Sequence, residues 1–457
     1  MNNLPIIIQA GMGAYISTPH LAKISSHNPL VLGTVSAVLI ERIMVDILGL
    51  GDPGGHYRRA FAHFPFPEVS ERIISKYFIK NGILKKGRKA IPVMSLNPCR
   101  ELIELMIVAS FAIVWLAKEE HERPISVNCL GKMEGSLIFY LLGAIMAGAN
   151  YITIGAGIPL QIPNVLDAIV SGTTVNYRVQ VKGSKDGFVT ISFDPMEFFG
   201  KALPLFKRPY FLPIVSSYEL AALMVKKLPL GSIEAFIIEK YTAGGHSAPP
   251  RTKGESVYGS KDEVDYNKLS ELNIPFYIAG SGISLKEAWA LGAVGIQAGT
   301  IFALSDDSGM KPSYRNKIRY FGYRNELIVR TDFKASPTGY PFKVVELPGT
   351  LSDPAVYNAR KRVCNICGLR TAYEHNGKIY YSCPGEPINS YLGKGGKIED
   401  TVDVMCLCNA LLSAAGYGNP GEPSVFTLGN NVDFLPKLMR NETDSYSAID
   451  TIKYLLS

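Results

Sequence analysis

The sequence predicts an α/β protein whose main part is a (β/α)₈ TIM barrel. Eight short apolar segments recur along the chain, beginning at Leu4, Pro29, Pro124, Asn150, Phe211, Glu234, Ile274 and Ala293. Helical patterns fill most of the intervals, namely residues 137–147, 218–227, 266–271 and 285–291. Uninterrupted apolar strands that alternate with helices indicate a parallel sheet covered on both faces. Eight such strands fit a closed barrel with its active site at the C-terminal strand ends.

An open, doubly wound sheet is the alternative architecture. That fold is typically marked by a strand followed by GxGxxG and by an acidic residue about 20 positions later. The sequence contains no such combination, and the closed barrel is therefore preferred.

Two insertions and an extension complete the predicted fold. A ninth apolar segment, from Ile91, is assigned to a helical insertion after strand 2, about residues 38–123, which also holds an apolar helix at 102–116. A second insertion after strand 4, about residues 173–210, begins with a β-hairpin whose turn is KGSKDG. The barrel is expected to span residues 1–330. Residues 331–457, where the strand–helix rhythm stops, are expected to form a mostly helical, cysteine-containing extension or lid domain.

The composition limits the class of partner. The chain has 457 residues, of which 47% are hydrophobic and 19% charged, and its net charge is +7. That charge is modest for the length, so at most a mild preference for anionic ligands follows. The densest basic run, LKKGRK from Leu84, lacks an accompanying aromatic stacking pattern and is interpreted as a solvated loop. No nucleic-acid partner is expected.

Neither a signal peptide nor a membrane span is expected. The N-terminal apolar stretch has no basic segment ahead of it. The uncharged run at residues 136–164 is long enough to cross a bilayer. However, Gly143, Gly148, Asn150 and Pro159 divide it into a helix-sized piece and a strand-sized piece. A cytoplasmic protein without a membrane partner is the expectation.

The cysteines are compatible with a metal site but do not require one. Five of the seven follow residue 360: Cys364, Cys367, Cys383, Cys406 and Cys408. In a reducing compartment, such cysteines indicate free thiols or a metal site before disulfides. The CxxC pair is a familiar half-site for zinc or an iron–sulfur cluster, but a CxC on an apparent helix is a less usual partner. Free or buried thiols without a metal are therefore the expectation.

Small residues at the ends of strands 7 and 8 predict a phosphate site. In this barrel class the loops after these two strands and a short helix N-terminus form such a site. Its donors would be the backbone N–H groups of Gly280, Ser281, Gly282, Gly299 and Thr300, which no large side chain shields. One such loop alone would equally suit an ordinary tight turn, but two occur at the appropriate positions.

Other strand ends could face a flat aromatic ligand. The first strand ends in QAGMG at Gln9, where small residues and Met12 could lie against a ring. Asn128 could bind the edge of a heterocycle through its amide, and Gly155 leaves bare backbone at the end of strand 4. Taken singly, each of these residues would more often belong to a turn or to the core.

His246 is the candidate for proton transfer. It follows strand 6, so the barrel places it over the same mouth, and Gly244 and Gly245 before it permit close approach to a ligand. An imidazole can remove a proton from a carbon acid or deliver one to a carbanion. The alternative is a loop histidine without a role, which is the interpretation preferred for His56 in the first insertion.

In order along the chain, LPIIIQAGMG, SVNCLG, YITIGAGIP, YTAGGHSAPPR, IPFYIAGSGI and GIQAGTIF resemble the motifs of the nitronate monooxygenase (2-nitropropane dioxygenase-like) family. These are FMN-dependent TIM barrels related to FMN-containing enoyl reductases. The resemblance implies that His246 is the base. It maps flavin contacts to Gln9, Ala10, Gly11, Met12, Asn128, Gly244 and Gly245. It maps the phosphate cradle to Ala279, Gly280, Ser281, Gly282, Gln297, Gly299 and Thr300.

This sequence departs from the family pattern in two places. QAGMG replaces the more usual entry with proline before the methionine. Thr242 stands where many relatives carry an acidic residue, and Ser-Ala-Pro-Pro follows the histidine. The second departure changes the surroundings of the base.

The resemblance implies an FMN-dependent oxidoreductase that oxidises an alkyl nitronate or similar carbanion with O₂. An NAD(P)H-dependent FMN enoyl reductase, acting on acyl thioesters of fatty-acid or polyketide synthesis, is the alternative. A non-catalytic flavin- or lipid-binding subunit is the second alternative. The partner would be a small molecule or an acyl thioester, and a homodimer stays open.

Overall fold

Eight parallel strands close into a barrel in the computed structural model, which describes residues 4–82, 89–252, 254, 256–280, 282–419 and 421–457. The strands up to residue 300 are β1 (Ile7–Gln9), β2 (Val31–Ser36), β3 (Ile125–Leu130), β4 (Tyr151–Gly155), β5 (Val175–Lys182), β6 (Phe188–Phe193), β7 (Tyr210–Val215), β8 (Phe236–Glu239), β9 (Phe276–Ala279) and β10 (Gly295–Ala298). All except β5 and β6 belong to the barrel, in the order β1-β10-β9-β8-β7-β4-β3-β2. The predicted (β/α)₈ TIM barrel is thereby confirmed.

Closure is made by the first and last barrel strands. Ile7 of β1 lies beside Ile296 of β10 on one side and Val31 of β2 on the other. Alternate strand positions point into the barrel, where Ile8, Leu32, Tyr151, Leu212, Ile237 and Tyr277 pack in one buried cluster. The other positions pack outward against the helices in a larger cluster. This division explains why the strands have no polar face.

Helices cover the outside of the barrel. They are α1 (Pro19–Ser26), α2 (Ile40–Gly49), α3 (His56–Phe61), α4 (Pro67–Tyr77), α5 (Arg100–Lys118), α6 (Leu137–Met146), α7 (Ile162–Val170), α8 (Pro195–Phe199), α9 (Tyr218–Lys227), α10 (Tyr266–Glu271), α11 (Leu285–Ala290), α12 (Thr300–Ala303) and α13 (Pro312–Tyr323). Local signals fix several starts: Ser284 and Glu287, for example, form a capping box at α11.

The segment between β2 and β3 consists of helices. It holds α2 to α5, and the predicted apolar helix at 102–116 lies inside α5. The apolar segment from Ile91 forms no strand. Most of the basic run from Leu84, residues 84–88, lies outside the described residues. Between β4 and β7, strands β5 and β6 pair as an antiparallel hairpin, from Val175 beside Phe193 to Gln180 beside Phe188.

The chain beyond the barrel is less helical than predicted. It contains two further hairpins, made by β11 (Val329–Asp332) with β12 (Phe342–Val345) and by β13 (Thr371–His375) with β14 (Lys378–Ser382). Its helices are α14 (Pro354–Ala359), α15 (Ile388–Gly393), α16 (Leu407–Ala414), α17 (Leu435–Leu438) and α18 (Ala448–Leu456). β13 also pairs with β5, so the extension and the second insertion share one sheet.

The run at residues 136–164 forms α6 and β4, the helix and the strand that its glycines predict. Across the described ranges, no helix has both the length and the apolar character needed to cross a membrane.

Close packing between α5 and α6 makes Gly143 a test of this fold. A Cβ at Gly143 would lie 2.1 Å from the carbonyl oxygen of Ile107. We expect Gly143→Ala to lower the free energy of unfolding by about 1–3 kcal/mol, because the two helices must separate. Urea denaturation measures this change.

Gly393→Ala is the matched control. Gly393 ends α15, and a Cβ there would meet no atom within 4 Å. Its unfolding free energy should stay the same or rise by up to about 1 kcal/mol, since alanine favours helix. Equal denaturation midpoints for the two variants would contradict the tight α5–α6 contact.

Candidate active site

A cavity of about 330 Å³ opens at the C-terminal ends of the barrel strands. The structure brings most of the predicted site residues to its wall: Ala10, Gly11, Met12, Asn128, Gly155, Gly244, Gly245, His246, Ala279, Gly280, Gly282, Gln297, Gly299 and Thr300. Ser281 lies outside the described residues. Residues scattered over nearly 300 positions of sequence thus surround one space.

Gln9 is the exception. Its fully buried side chain accepts a hydrogen bond from the Thr34 N–H (2.9 Å) and donates to Ser17 Oγ (2.9 Å) and to the Ala10 carbonyl. It is not among the residues that line the cavity. The Gln9 side chain thus fixes the loop that follows β1, and a flavin contact of Gln9 stays a prediction.

Ser17 completes this loop, and the sequence interpretation missed it. Its hydroxyl accepts the Met12 N–H (2.9 Å) and donates to the Ala10 carbonyl (2.8 Å). Gly11 then approaches strand β3 so closely that a Cβ would lie 2.0 Å from the Cβ of Asn128. Only glycine fits, and the backbone of residues 10–12 is held at the cavity wall.

The loops after β8 and β9 support each other at the predicted phosphate end. Gly280 and Gly282 have φ angles of +76° and +70°, which favour glycine. A Cβ on Gly280 would lie 2.4 Å from the Cβ of Ala243. The Thr242 hydroxyl donates to the Gly280 carbonyl. Thr242, the departure from the family pattern, thus links two walls of the site.

Two polar side chains face the cavity without a hydrogen-bond partner in the described chain. Glu239 and Gln297 both lie beside Ala279, on the strands that flank it. Gln297 Nε2 is buried and unpaired, and no hydrogen bond or ion pair of the Glu239 carboxyl to a described residue is found. Burial raises the pKa of Glu239 to about 8. Unpaired polar groups in such a place are available to a ligand.

Sequence reasoning missed Glu239, although a signal was present. Ala235 and Ile237 pack inside the barrel. The two-residue period of a strand therefore turns Glu239 inward as well, at the last position of β8.

His246 lines the cavity and is held by the extension. Its Nε2 lies 2.7 Å from Ser336 Oγ, and its ring meets Phe342 edge-on with 4.9 Å between centroids. The flanking backbone pairs with β12, since the Lys343 N–H donates to the Gly245 carbonyl (2.9 Å) and the Ser247 N–H to the carbonyl before Phe342 (3.0 Å). The backbone before and after His246 is therefore held by hydrogen bonds to the extension.

The electrostatics around His246 favour the neutral imidazole. Burial, together with the positive charge of Lys132, lowers the pKa of His246 to about 3. Lys132 follows β3, and burial lowers its own pKa to about 8. Its ammonium lies 3.0 Å from the ring centroid of Tyr340, which belongs to the extension. At neutral pH the imidazole is available as a base, not as an acid.

His56 takes no part in this cavity. It begins α3, and its Nδ1 lies 3.1 Å from the guanidinium of Arg59.

The extension also covers the loops at the C-terminal ends of the barrel strands. The Gly245 N–H donates to Thr427 Oγ1 (2.6 Å), and the Gly429 N–H donates to Thr300 Oγ1 (2.8 Å). The adjoining wall is apolar and includes Leu407, Leu411, Phe426, Phe434 and Leu455. None of these residues was predicted, because nothing in the local sequence ties them to the barrel mouth.

The candidate metal-binding cysteines are free thiols. Cys364 and Cys367 are in contact, with 3.9 Å between sulfurs, and Cys383, Cys406 and Cys408 are buried. Among the residues with described positions, no three His, Cys, Asp or Glu side chains are arranged to hold a metal ion. Cys408 lines the cavity.

Comparison with known proteins finds similarity among solved structures. FabK from Thermotoga maritima is 17% identical, with 99% of this chain and 92% of that chain covered and a TM-score of 0.48. Nitroalkane oxidase from Streptomyces ansochromogenes is 15% identical, with 75% and 77% covered and a TM-score of 0.39. The enoyl reductase domain of MlnA from Bacillus amyloliquefaciens is 12% identical, with 76% and 64% covered and a TM-score of 0.36.

No family model and no curated protein matches the chain. The barrel itself is established by the strand pairing of this chain.

The buried carboxyl of Glu239 predicts a pH-dependent stability. A free glutamate releases its proton near pH 4.5, but the folded chain keeps this proton to about pH 8. The folded state therefore binds more protons between these values, and the free energy of unfolding falls as the pH rises through them. We expect the melting temperature of Glu239→Gln, relative to the native chain, to increase from about pH 5 to about pH 9.

Glu271→Gln controls for the loss of a negative charge, since Glu271 is exposed at the end of α10. Its melting temperature should follow the native chain at each pH. A Glu239→Gln difference that is constant over the range would show that the carboxyl is not buried as described.

Proposed function

We propose that this chain is an FMN-dependent oxidoreductase. The support is the convergence of the motifs that resemble nitronate monooxygenases on one cavity, with His246 in its wall. The observation that carries the proposal is the His246 imidazole in the wall of a cavity where Glu239 and Gln297 present polar groups without a partner in the described chain.

The residues present fit the flavin. The unpaired Gln297 Nε2 and the Glu239 carboxyl offer hydrogen bonds to a polar ligand. Backbone at residues 10–12 and the Asn128 amide would lie along the ring, while Gly280, Gly282, Gly299 and Thr300 would hold the phosphate through backbone N–H groups. When bound, FMN would accept two electrons from a substrate and pass them to O₂, or take them from NAD(P)H.

His246 would remove a proton from the carbon next to an electron-withdrawing group, or hold a substrate that has already lost it. The half-buried imidazole, whose pKa is lowered to about 3, is neutral at physiological pH and has a lone pair to offer to the proton. An alkyl nitronate or a similar carbanion is the substrate class that this arrangement suits, with O₂ as the final electron acceptor.

An enoyl reductase is the second candidate, and the apolar wall favours it. Leu407, Leu411 and Phe426 give the cavity an apolar wall, and an acyl chain could lie against such a surface. In that reaction His246 would have to donate a proton, which a neutral imidazole does poorly. A pKa lowered to about 3 disfavours the protonated imidazole in both directions, as the starting acid of the reductase and as the product of proton removal by the oxidase.

Anaerobic stopped-flow measurements on FMN-loaded protein separate the two. We expect ethylnitronate to bleach the flavin absorption, and NADPH alone to leave it unchanged. Rapid bleaching by NADPH, followed by reoxidation with an enoyl thioester, would favour the reductase. A protein that neither quenches FMN fluorescence nor retains yellow flavin would contradict both.

His246→Ala tests the base. We expect it to bind FMN as the native chain does and to lose turnover by about 10²–10⁴-fold, because the proton acceptor is removed. His375→Ala, on the exposed strand β13, is the matched control and should retain full turnover. Steady-state oxygen consumption with nitroethane, which still carries its α-proton, measures both, and unchanged turnover of His246→Ala would remove the assigned role.

A further inference from the structure

Ser336 is the one described side chain that is hydrogen bonded to the candidate base, and it comes from the extension. It lies 90 positions after His246, and its side chain is 2% exposed. Its Oγ lies 2.7 Å from His246 Nε2 and 2.8 Å from Thr338 Oγ1, and it accepts the Thr338 N–H (3.2 Å). Three polar groups therefore converge on one hydroxyl.

Counting protons restricts how these groups bond. The Thr338 N–H always donates, so it occupies one lone pair of Ser336 Oγ. The serine has a single hydrogen to donate, and the neutral imidazole has a single ring N–H. If Ser336 donates to Thr338 Oγ1, its remaining lone pair accepts from His246 Nε2. If it donates to Nε2 instead, the Thr338 hydroxyl donates to Ser336 Oγ and the ring proton must sit on Nδ1.

We propose that Ser336 is a positioning residue that accepts the Nε2–H of His246 and so leaves the Nδ1 lone pair as the proton acceptor of the site. This inference rests on the proposed role of His246 as a base. Nδ1 makes no hydrogen bond to a described residue, while Nε2 is engaged. In this arrangement Thr338 Oγ1 accepts the serine hydrogen, which leaves Ser336 Oγ as an acceptor on the side of the ring.

The surrounding contacts keep this orientation. Phe342 packs against the imidazole edge, and His246 and Phe342 form an isolated antiparallel bridge. Rotating the ring by half a turn about the Cβ–Cγ bond would exchange Nε2 with Cε1 and so break the bond to Ser336. The opposite tautomer would present Nδ1–H to the substrate, which can donate a hydrogen bond but cannot accept a proton.

Nitrogen NMR of the ¹⁵N-histidine-labelled full chain tests the tautomer directly. We expect the His246 resonances to show hydrogen on Nε2 and a bare Nδ1. Thr338→Val removes the acceptor of the serine hydrogen, and we expect it to shift the ring toward the Nδ1–H form. His375, exposed on β13, serves as the internal control and should not change. A native His246 with hydrogen on Nδ1 overturns the inference.

Turnover supplies the second readout. We expect Ser336→Ala to lower kcat by about 10²-fold with little change in KM, since the base is misoriented but the cavity is not. Ser336→Thr keeps the hydroxyl and should restore most of the activity and the native tautomer. Equal loss in both variants would assign Ser336 a packing role and overturn the inference.

The two proposals fail in different ways. An Nε2–H tautomer in a chain that oxidises no nitronate would uphold the role of Ser336 and contradict the proposed function. Turnover by a chain whose His246 carries hydrogen on Nδ1 would uphold the function and contradict the role of Ser336.

Discussion

Barrel closure between β1 and β10 is the constraint on which the site depends. When Ile7 pairs with Ile296 and Val31, the C-terminal ends of all eight strands must meet at one mouth. The loop after β1 then reaches strand β3, where Gly11 lies against Asn128. Gln9 stabilises this junction through hydrogen bonds. Its side-chain amide accepts the N–H of Thr34 on β2 and donates to the Ala10 carbonyl of its own loop. The site is thus assembled by strand pairing before any ligand is involved.

The extension completes a mouth that the barrel alone leaves open. It binds the Gly-Gly-His loop through backbone pairing with Lys343 and through Thr427, and the loop after β10 through Gly429. It also buries His246 and provides the apolar wall. The same packing that lowers the pKa of the imidazole therefore shapes the space for a substrate. A barrel without these residues would expose the histidine to water and allow it to protonate at ordinary pH.

Features of the fold that depend on neighbouring residues in the sequence could be predicted. Apolar strands, capped helices and paired glycines each depend on neighbouring residues, so the barrel and the position of His246 could be predicted. Ser336 and Thr427 could not, because their partners lie 90 and 182 positions away and no local pattern marks them. Gln9 was assigned through a resemblance that does not specify where its amide points. The inward orientation of Glu239 could have been predicted from the alternation of residues along β8. However, a charged residue at a strand end is usually assumed to be exposed to solvent.

The protonation of the site bears on the direction of electron flow. Reduction of an enoyl group ends with a proton delivered to carbon, whereas oxidation of a carbanion begins with a proton removed. Lys132 disfavours a second positive charge on His246, and burial disfavours it further. Lys132 itself, held over Tyr340, has a pKa lowered to about 8 and could release a proton more readily than an ordinary lysine. An enoyl reductase would therefore draw its proton from a group such as Lys132 or the protonated Glu239, whereas a nitronate, which has already lost its α-proton, could be oxidised without protonating His246.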